Sequence, residues 1–398
     1  MFFFILYSIP VLTVLWLWWV LRQLPGRPWL RHGLTAFVAI VLVAYLWTFF
    51  YRSDLIASPS PNWLTALLLL WALIFLPFLA LPTCISYNSC RKRRASLPDV
   101  TPDDSPSAAV DSSPPAPEFP TLSRREMLRT TALALPMLGT LGSTAISIPQ
   151  KTRFRIQRLT VPIARLPRAL EGTTITHLSD THVGKFTRGR VLDEMVETIN
   201  DLRSDLVLMT GDLIDHSLTD LPEALDMVTR LDPRHGLFNI EGNHDLFEGV
   251  DGFVQGVRER GVPLLRDQSE IIRLKGHPVE ILGLSWQRGE SAIAKQVSAL
   301  AAGRDPDAFP ILLAHHPHAF DEATRHDIPL TLAGHTHGGQ LMLTPEIGAG
   351  PMLFRYWSGL YRKNQQSLVV SNGAGNWFPL RTSAPAEILQ LTLTRAEV

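Results

Sequence analysis

The chain has 398 residues with 37 basic and 37 acidic side chains, so its formal net charge is zero and its overall charge argues against a general nucleic-acid binder. That balance averages two unlike halves, because residues 1–150 carry 11 Lys/Arg against 7 Asp/Glu while residues 151–398 carry 26 against 30. Both cysteines, Cys84 and Cys90, lie in the front half, which leaves the back half to do any metal chemistry with His, Asp, Glu or Asn.

The first 82 residues contain only five charged side chains. Three uncharged runs, 1–21, 33–51 and the apolar part (63–81) of 55–90, are each long enough at 1.5 Å per residue to cross a ~30 Å hydrocarbon layer. Trp16, Trp18, Trp19, Trp47 and Trp63 lie near run ends, where indole rings favour the headgroup level. Arg22, Arg27 and Arg31 separate the first two runs, and Arg91, Lys92, Arg93 and Arg94 follow the third, whereas the second loop offers Arg52 beside Asp54. The positive-inside bias then puts the amino terminus outside and the segment after the third run in the cytoplasm.

Residues 95–121 are rich in Pro, Ser, Asp and Ala, a composition that reads as a disordered cytoplasmic linker. Next comes Ser123-Arg124-Arg125-Glu126-Met127-Leu128-Arg129 followed by an uncharged segment to Gln150, which resembles a twin-arginine export signal; a plain fourth transmembrane helix is the alternative. Either carries residue 151 onward across the membrane. The expected layout is three transmembrane helices (1–94), linker (95–121), signal or fourth helix (122–150) and a catalytic domain (151–398). The expected location is the bacterial cytoplasmic membrane, multi-pass, with the catalytic domain on the outer, periplasmic or extracellular, side.

From about residue 152 short Ile/Leu/Val runs alternate with Gly-rich polar loops. Strands are expected at 173–178, 206–209, 236–240, 279–284, 311–314, 330–333 and 368–371. Val191, Met195, Ile199 and Leu202 recur at helical spacing between the first two, and helices are also expected at 221–231, 250–260 and 291–302. This is an α/β domain of ordinary size.

Polar residues able to hold metal follow five of these strands: Asp180-Thr181-His182, Gly211-Asp212-Leu213-Ile214-Asp215, Gly242-Asn243-His244-Asp245, His315-His316-Pro317-His318 and Gly334-His335-Thr336-His337-Gly338-Gly339. Twelve of the thirteen histidines are in this half. The carboxyl ends of strands in an open α/β sheet face one crevice, so residues far apart in sequence can meet there. Carboxylate and amide oxygens mixed with imidazole nitrogens suit Mn, Fe or Zn. If Asp-x-His and His-x-His are extended, their side chains point the same way and reach one centre. His177, His216, His235, His277 and His326 read as surface or satisfied histidines.

The order D-x-H, G-D-x-x-D, G-N-H-D, H, G-H-x-H resembles the calcineurin-like metallophosphoesterases over about 175–337, and the Gly338-Gly339-Gln340 that follows resembles the bacterial membrane-associated branch. The resemblance implies an α/β layered sheet sandwich with flanking helices, here preceded by an all-α transmembrane region. It implies two divalent transition-metal ions, one held by Asp180, His182, Asp212 and His337 and the other by Asp212, Asn243, His315 and His335. His244 is then the catalytic residue that orients or protonates the leaving group. His315 matches the family histidine of the fourth motif, with His316 as the alternative, and His318 is expected to start the next helix. Asp215 and Asp245 are expected to fix loops or imidazole tautomers.

The implied reaction is hydrolysis of a phosphate ester by a hydroxide bridging two metals. The candidate substrate is a lipid-linked phosphate, since 341–363 mixes apolar and aromatic residues such as Met342, Leu343, Met352, Leu353, Phe354, Tyr356, Trp357, Leu360 and Tyr361 with Arg355, Arg362 and Lys363, as an acyl-holding or bilayer-resting cap would; a connection packed over the sheet is the simpler reading. Arg381, within 375–381, is expected to be structural or to contact phosphate. The alternatives are a pyrophosphatase of a nucleotide-linked lipid precursor and a non-catalytic membrane sensor or scaffold. No nucleic acid is expected as a partner, and the sequence leaves the oligomeric state, the native metals and the physiological substrate open.

Overall fold

The computed structural model describes residues 2–24, 27–52, 61–95, 123–147, 150, 153–378 and 380–396, and it divides into two compact units, Met1–Ala145 and Ile146–Val398. The linker expected at 95–121 lies outside the described residues apart from Ala95, which ends a helix.

The front unit is helical throughout its described residues. Helices Phe2–Gln23 and Pro28–Arg52 are followed by a continuous run of α-helix Asn62–Leu70, π-helix Trp71–Ala80 and α-helix Leu81–Ala95, and then by helix Arg124–Ser147. Pro77 sits inside the π segment, where the missing N–H fits the altered hydrogen-bond pattern. The core is aromatic, with Trp71 meeting Trp16 and Phe37 edge-on at 4.9 and 5.1 Å and its indole N–H donating to Thr13 Oγ1 at 2.9 Å. Among the described residues two helices, Pro28–Phe50 and Trp63–Ser89, are long and apolar enough to cross a membrane. They correspond to the second and third expected runs. The first run forms Phe2–Gln23, of which only part of the side chains is described, and the twin-arginine-like segment forms Arg124–Ser147. That last helix opens on a capping box: Ser123 Oγ accepts from the Glu126 N–H at 3.2 Å and Glu126 Oε2 accepts from the Ser123 N–H at 3.3 Å.

The back unit is a sandwich of two sheets. Its strands are β1 (Phe154–Ile163), β2 (Thr174–Leu178), β3 (Leu206–Thr210), β4 (Leu237–Ile240), β5 (Gln268–Leu274), β6 (His277–Gly283), β7 (Phe309–Leu313), β8 (Leu330–Ala333), β9 (Met342–Thr344), β10 (Ile347–Gly348), β11 (Gly359–Lys363), β12 (Gln366–Val370) and β13 (Ala386–Arg395). One sheet runs β1-β13-β2-β3-β4, the other β11-β12-β8-β7-β6-β5, and β9 and β10 form a separate hairpin. The seven expected strands and four expected helices are all present. The strands missed carry polar faces, as β1 does with Arg155, Gln157 and Arg158, so they lack the apolar runs of doubly covered strands.

The sheets pack face to face through Ile175, Leu206, Leu208, Phe238 and Leu391 from one and Ile281, Ile311, Leu313, Leu332 and Val369 from the other. Each such aliphatic side chain stabilises the fold by ~1.5–3 kcal/mol when fully buried. Helices Arg190–Asp201, Leu221–Thr229 and Val250–Glu259 cover the outer face of the first sheet, and Glu290–Ala302 with Ala319–Ala323 cover that of the second. The result is four layers with β2, β3 and β4 parallel in one sheet and β7 and β8 parallel in the other, so their carboxyl ends open onto shared ground.

Candidate metal centre

Backbone hydrogen bonds tie the loop after β2 to the loop after β3, and the loop after β7 to the loop after β8. The Asp180 N–H donates to the Gly211 carbonyl at 3.0 Å, the His182 N–H to the Asp212 carbonyl at 3.0 Å, and the Gly334 N–H to the His315 carbonyl at 3.1 Å. A Cβ on Gly242 would collide with the Asp212 carboxylate, and one on Gly334 with Asp180, so glycine there sets how closely the loops approach.

Asp180, His182, Asp212, His335 and His337 all adopt positive φ, at 50°, 44°, 52°, 71° and 51°. Left-handed backbone costs a non-glycine residue ~1–3 kcal/mol and persists only where the surroundings enforce it. The alternation expected for an extended Asp-x-His or His-x-His is therefore corrected: each pair converges because both its members turn left-handed, held by the loop-to-loop hydrogen bonds.

The side chains meet in three overlapping groups whose ligand atoms lie within 4.8 Å of one another: Asp180, His182 and His337; His182, Asp212 and His244; and Asp212, His315 and His335. Asp212 belongs to two of them. His182 Nε2 is 3.0 Å from His337 Nε2 and 3.6 Å from Asp212 Oδ2, and His337 Nε2 is 3.3 Å from Asp180 Oδ1. On the other side His315 Nε2 is 3.1 Å from Asp212 Oδ2, and His335 Nδ1 is 2.9 Å from Asn243 Oδ1 and 3.2 Å from His315 Nε2. Facing ring nitrogens at 3.0–3.2 Å satisfy each other only through a shared proton, whereas a cation among them satisfies all their lone pairs at once. This donor set of imidazole nitrogen, carboxylate and amide oxygen fits divalent transition metals.

The electrostatics separate the four imidazoles. Burial pushes His182, His335 and His337 well below the ordinary imidazole range, so each ring is held neutral with one of its two nitrogens unprotonated. Burial also opposes charge on His315, but the adjoining Asp212 carboxylate overrides it and raises the imidazole to about 9. Asp212 itself is desolvated, yet His315 and His182 hold it below the carboxylate range.

Supporting groups fix the ligands. The His315 Nδ1–H donates to the Thr210 carbonyl at 2.7 Å, turning Nε2 toward Asp212. Asp245 accepts from the Ile214 N–H at 2.9 Å and the Gly242 N–H at 2.8 Å, binding the second loop to the third. The Asp215 carbonyl accepts the His244 Nδ1–H at 2.5 Å, which leaves Nε2 of His244 for another partner. Burial works against charge on His244, but Asp215 and Asp212 outweigh it and raise its pKa.

Of the remaining histidines, His318 is the N-cap residue of helix Ala319–Ala323, as expected, while His316 packs its ring 4.8 Å from His335 and near Trp286, with no Asp212 contact like that of His315. His177 corrects the expectation of an ordinary satisfied histidine. It is fully buried, its Nε2 lies 2.9 Å from Thr210 Oγ1, and its Nδ1 has no hydrogen-bond partner. Thr210 Oγ1 donates to Ser179 Oγ at 2.7 Å and Ser179 Oγ donates to Asp180 Oδ2 at 2.5 Å, so a buried relay ends on that carboxylate. Its members are up to 33 residues apart in sequence, and no local motif announces them.

Arg381 is also sealed from solvent. It donates to Asn376 Oδ1 at 2.6 Å, to the Ala384 and Gly375 carbonyls at 2.9 and 2.7 Å and to His337 Nδ1 at 3.0 Å, so its role is structural and the alternative of a phosphate contact falls. Sequence reasoning also missed the aromatic walls. Phe247 and Trp377 stand 4.6 and 5.6 Å from the His244 ring, and Trp286 stands 5.5 and 5.3 Å from His315 and His335.

Residues 173–339 match the profile of the calcineurin-like phosphoesterases. The chain carries a calcineurin-like phosphoesterase domain, and it is a hydrolase acting on phosphoester bonds. A transmembrane protein with metallophosphoesterase domain from Danio rerio is 26% identical over 405 residues, covering 94% of this chain and 82% of that protein. One of the same description from Bos taurus is 30% identical over 288 residues, covering 67% of this chain and 64% of that one. An uncharacterized metallophosphoesterase of Helicobacter pylori is 30% identical over 246 residues, covering 61% and 64%. Relatives thus occur in vertebrates as well as bacteria, and the chain spans under two thirds of the cattle and Helicobacter proteins.

Proposed function

We propose that the phosphoesterase domain works as a dinuclear hydrolase tethered to a membrane, acting on a lipid-linked phosphate ester. One divalent ion (Mn, Fe or Zn) is held by Asp180, His182, Asp212 and His337 and the other by Asp212, Asn243, His315 and His335. The observation that carries this reading is the meeting of both donor groups on Asp212, supported by the left-handed backbone at five of the seven ligands. Bound there, the cations supply Lewis acidity to the phosphoryl oxygens.

The chain's own residues do the rest. His244, with Nδ1–H held by the Asp215 carbonyl, keeps Nε2 for the leaving oxygen and delivers a proton to it as the ester bond breaks. Phe247 and Trp377 stand against that imidazole and limit its exposure. The membrane reading is supported by the two apolar helices and by relatives described as transmembrane proteins. The proposed layout keeps membrane helices in 1–94, a linker over 95–121, a signal or further helix over 122–150 and the catalytic domain from 151, placed on the outer side of a bacterial cytoplasmic membrane.

The test is hydrolysis of mono-, di- and pyrophosphate esters by the purified full chain with Mn, Fe or Zn added back. Turnover restored by metal supports the reading; no turnover of any ester by the metal-loaded chain overturns it. Selective cleavage of pyrophosphate would redirect the substrate to a nucleotide-linked lipid precursor.

A further inference from the structure

We propose that the mouth of this centre is an apolar lip seated in a lipid surface, from which the domain takes its phosphoester; this deepens the function above and rests on it. Nine large hydrophobic residues are exposed among the described residues of the back unit, and six of them, Phe247, Val250, Ile347, Met352, Leu353 and Trp377, lie on three segments around the mouth. Ile347 in β10 is 59% exposed, and Met352 and Leu353, which end the one-turn helix Ala349–Leu353, are 81% and 70% exposed.

The three segments adjoin. Phe247 and Trp377 flank the same His244 ring at 4.6 and 5.6 Å, and Trp377 stands 6.3 Å from His337. The loop bearing Trp377 is tied to the base of the β9–β10 hairpin by the Gln340 amide donating to the Leu380 carbonyl at 2.9 Å and by the Met342 N–H donating to the Thr382 carbonyl at 3.0 Å. Phe354, next to Leu353, reaches the far side of the centre with its ring 6.1 Å from His335. A band of apolar tips therefore runs from the hairpin across the leaving-group histidine.

Exposed apolar side chains gathered on adjoining segments mark a binding face. The occupant is lipid for three reasons. Residues 341–363 carry three cations, Arg355, Arg362 and Lys363, against one anion, Glu346, and although Arg355 and Lys363 pair with Asp321 the segment keeps the apolar and basic mixture of one at headgroup level. A protein partner on the lip would cover the mouth and shut out substrate, whereas a lipid surface holding the substrate delivers it. The same chain also carries two helices long and apolar enough to enter a bilayer.

The experiment uses the full chain with Cys84→Ala and Cys90→Ala, bearing one new cysteine at Met352→Cys or, as control, Ile271→Cys, each labelled with a nitrobenzoxadiazole dye. The protein is reconstituted in phosphatidylcholine–phosphatidylglycerol nanodiscs with and without doxyl-labelled lipid. The label at 352 is expected to shift to the blue and lose roughly half its emission to doxyl lipid, as a side chain ~5–10 Å into the headgroup boundary would. The label at 271 is expected to do neither. A 352 label as unquenched as the control overturns the lip, and a blue shift without doxyl quenching, the mark of a protein partner, overturns it equally. Metal-dependent hydrolysis of bis(p-nitrophenyl) phosphate by the same samples separates the two claims. Turnover without quenching sinks the lip alone, and quenching without turnover of this ester supports the lip while counting against the phosphoesterase reading.

Discussion

Asp212 Oδ2 lies 3.1 Å from His315 Nε2, while the other oxygen of the same carboxylate accepts the His244 backbone N–H at 2.8 Å. One side chain thus faces a proposed ligand, anchors the loop of the proposed leaving-group histidine and, through His182 at 3.6 Å, reaches the second donor group. The expected outcomes below follow from that arrangement and from the groups that hold it.

His244→Gln removes the proton donor without touching the other donors. Turnover of alkyl phosphoesters should fall ~10²–10⁴-fold. Esters of p-nitrophenol, whose leaving group departs without protonation, should lose far less. Steady-state kinetics on the two ester classes check this, and equal losses on both would assign His244 to metal holding.

Thr210→Val keeps the shape of Thr210 but interrupts the relay from His177 to Asp180. Metal affinity should weaken by ~10-fold or more, the scale seen when a group supporting a ligand is lost. Thr210→Ser, which keeps the hydroxyl, should restore it. Titration of Mn by electron paramagnetic resonance reads both variants, and unchanged affinity in Thr210→Val would make the relay a packing feature.

Arg381→Met leaves the Asn376 amide oxygen and the Ala384 and Gly375 carbonyls without their buried donor. Unpaired buried acceptors make this cost about 3 kcal/mol of domain stability. Because the guanidinium is sealed from solvent, KM should not rise selectively for the more highly charged phosphoesters. Thermal unfolding and KM across mono- and diesters check the two halves of the statement.

Most of what decides the site was written in contiguous motifs. Asp180 with His182, Gly242 with Asn243 and His244, and Gly334 with His335 and His337 each sit directly after a strand whose apolar run is plain in the sequence. The strands that escaped notice, such as β1 and β13, pair the two ends of the domain in parallel register, Phe154 against Ala386, and no local pattern encodes a partner so distant. The left-handed backbone at Asp180, His182, Asp212, His335 and His337 escaped for a different reason. It is imposed by hydrogen bonds between loops, against the residues' own preference, and so is invisible to propensity. His177 was misjudged because its partners Thr210 and Ser179 become neighbours only when β2 and β3 pair. Ser123 and Glu126 carried a capping box inside what also reads as an export motif, so one short segment held two signals.

Asp212→Asn is the most direct test of the central claim, because the amide keeps an oxygen for the His244 N–H while removing the charge shared by both donor groups. Metal content after equilibration with Mn and gel filtration should be two ions per wild-type chain and essentially none in the variant. An Asp212→Asn chain that still carries two ions at wild-type affinity would contradict a centre built on that one shared carboxylate.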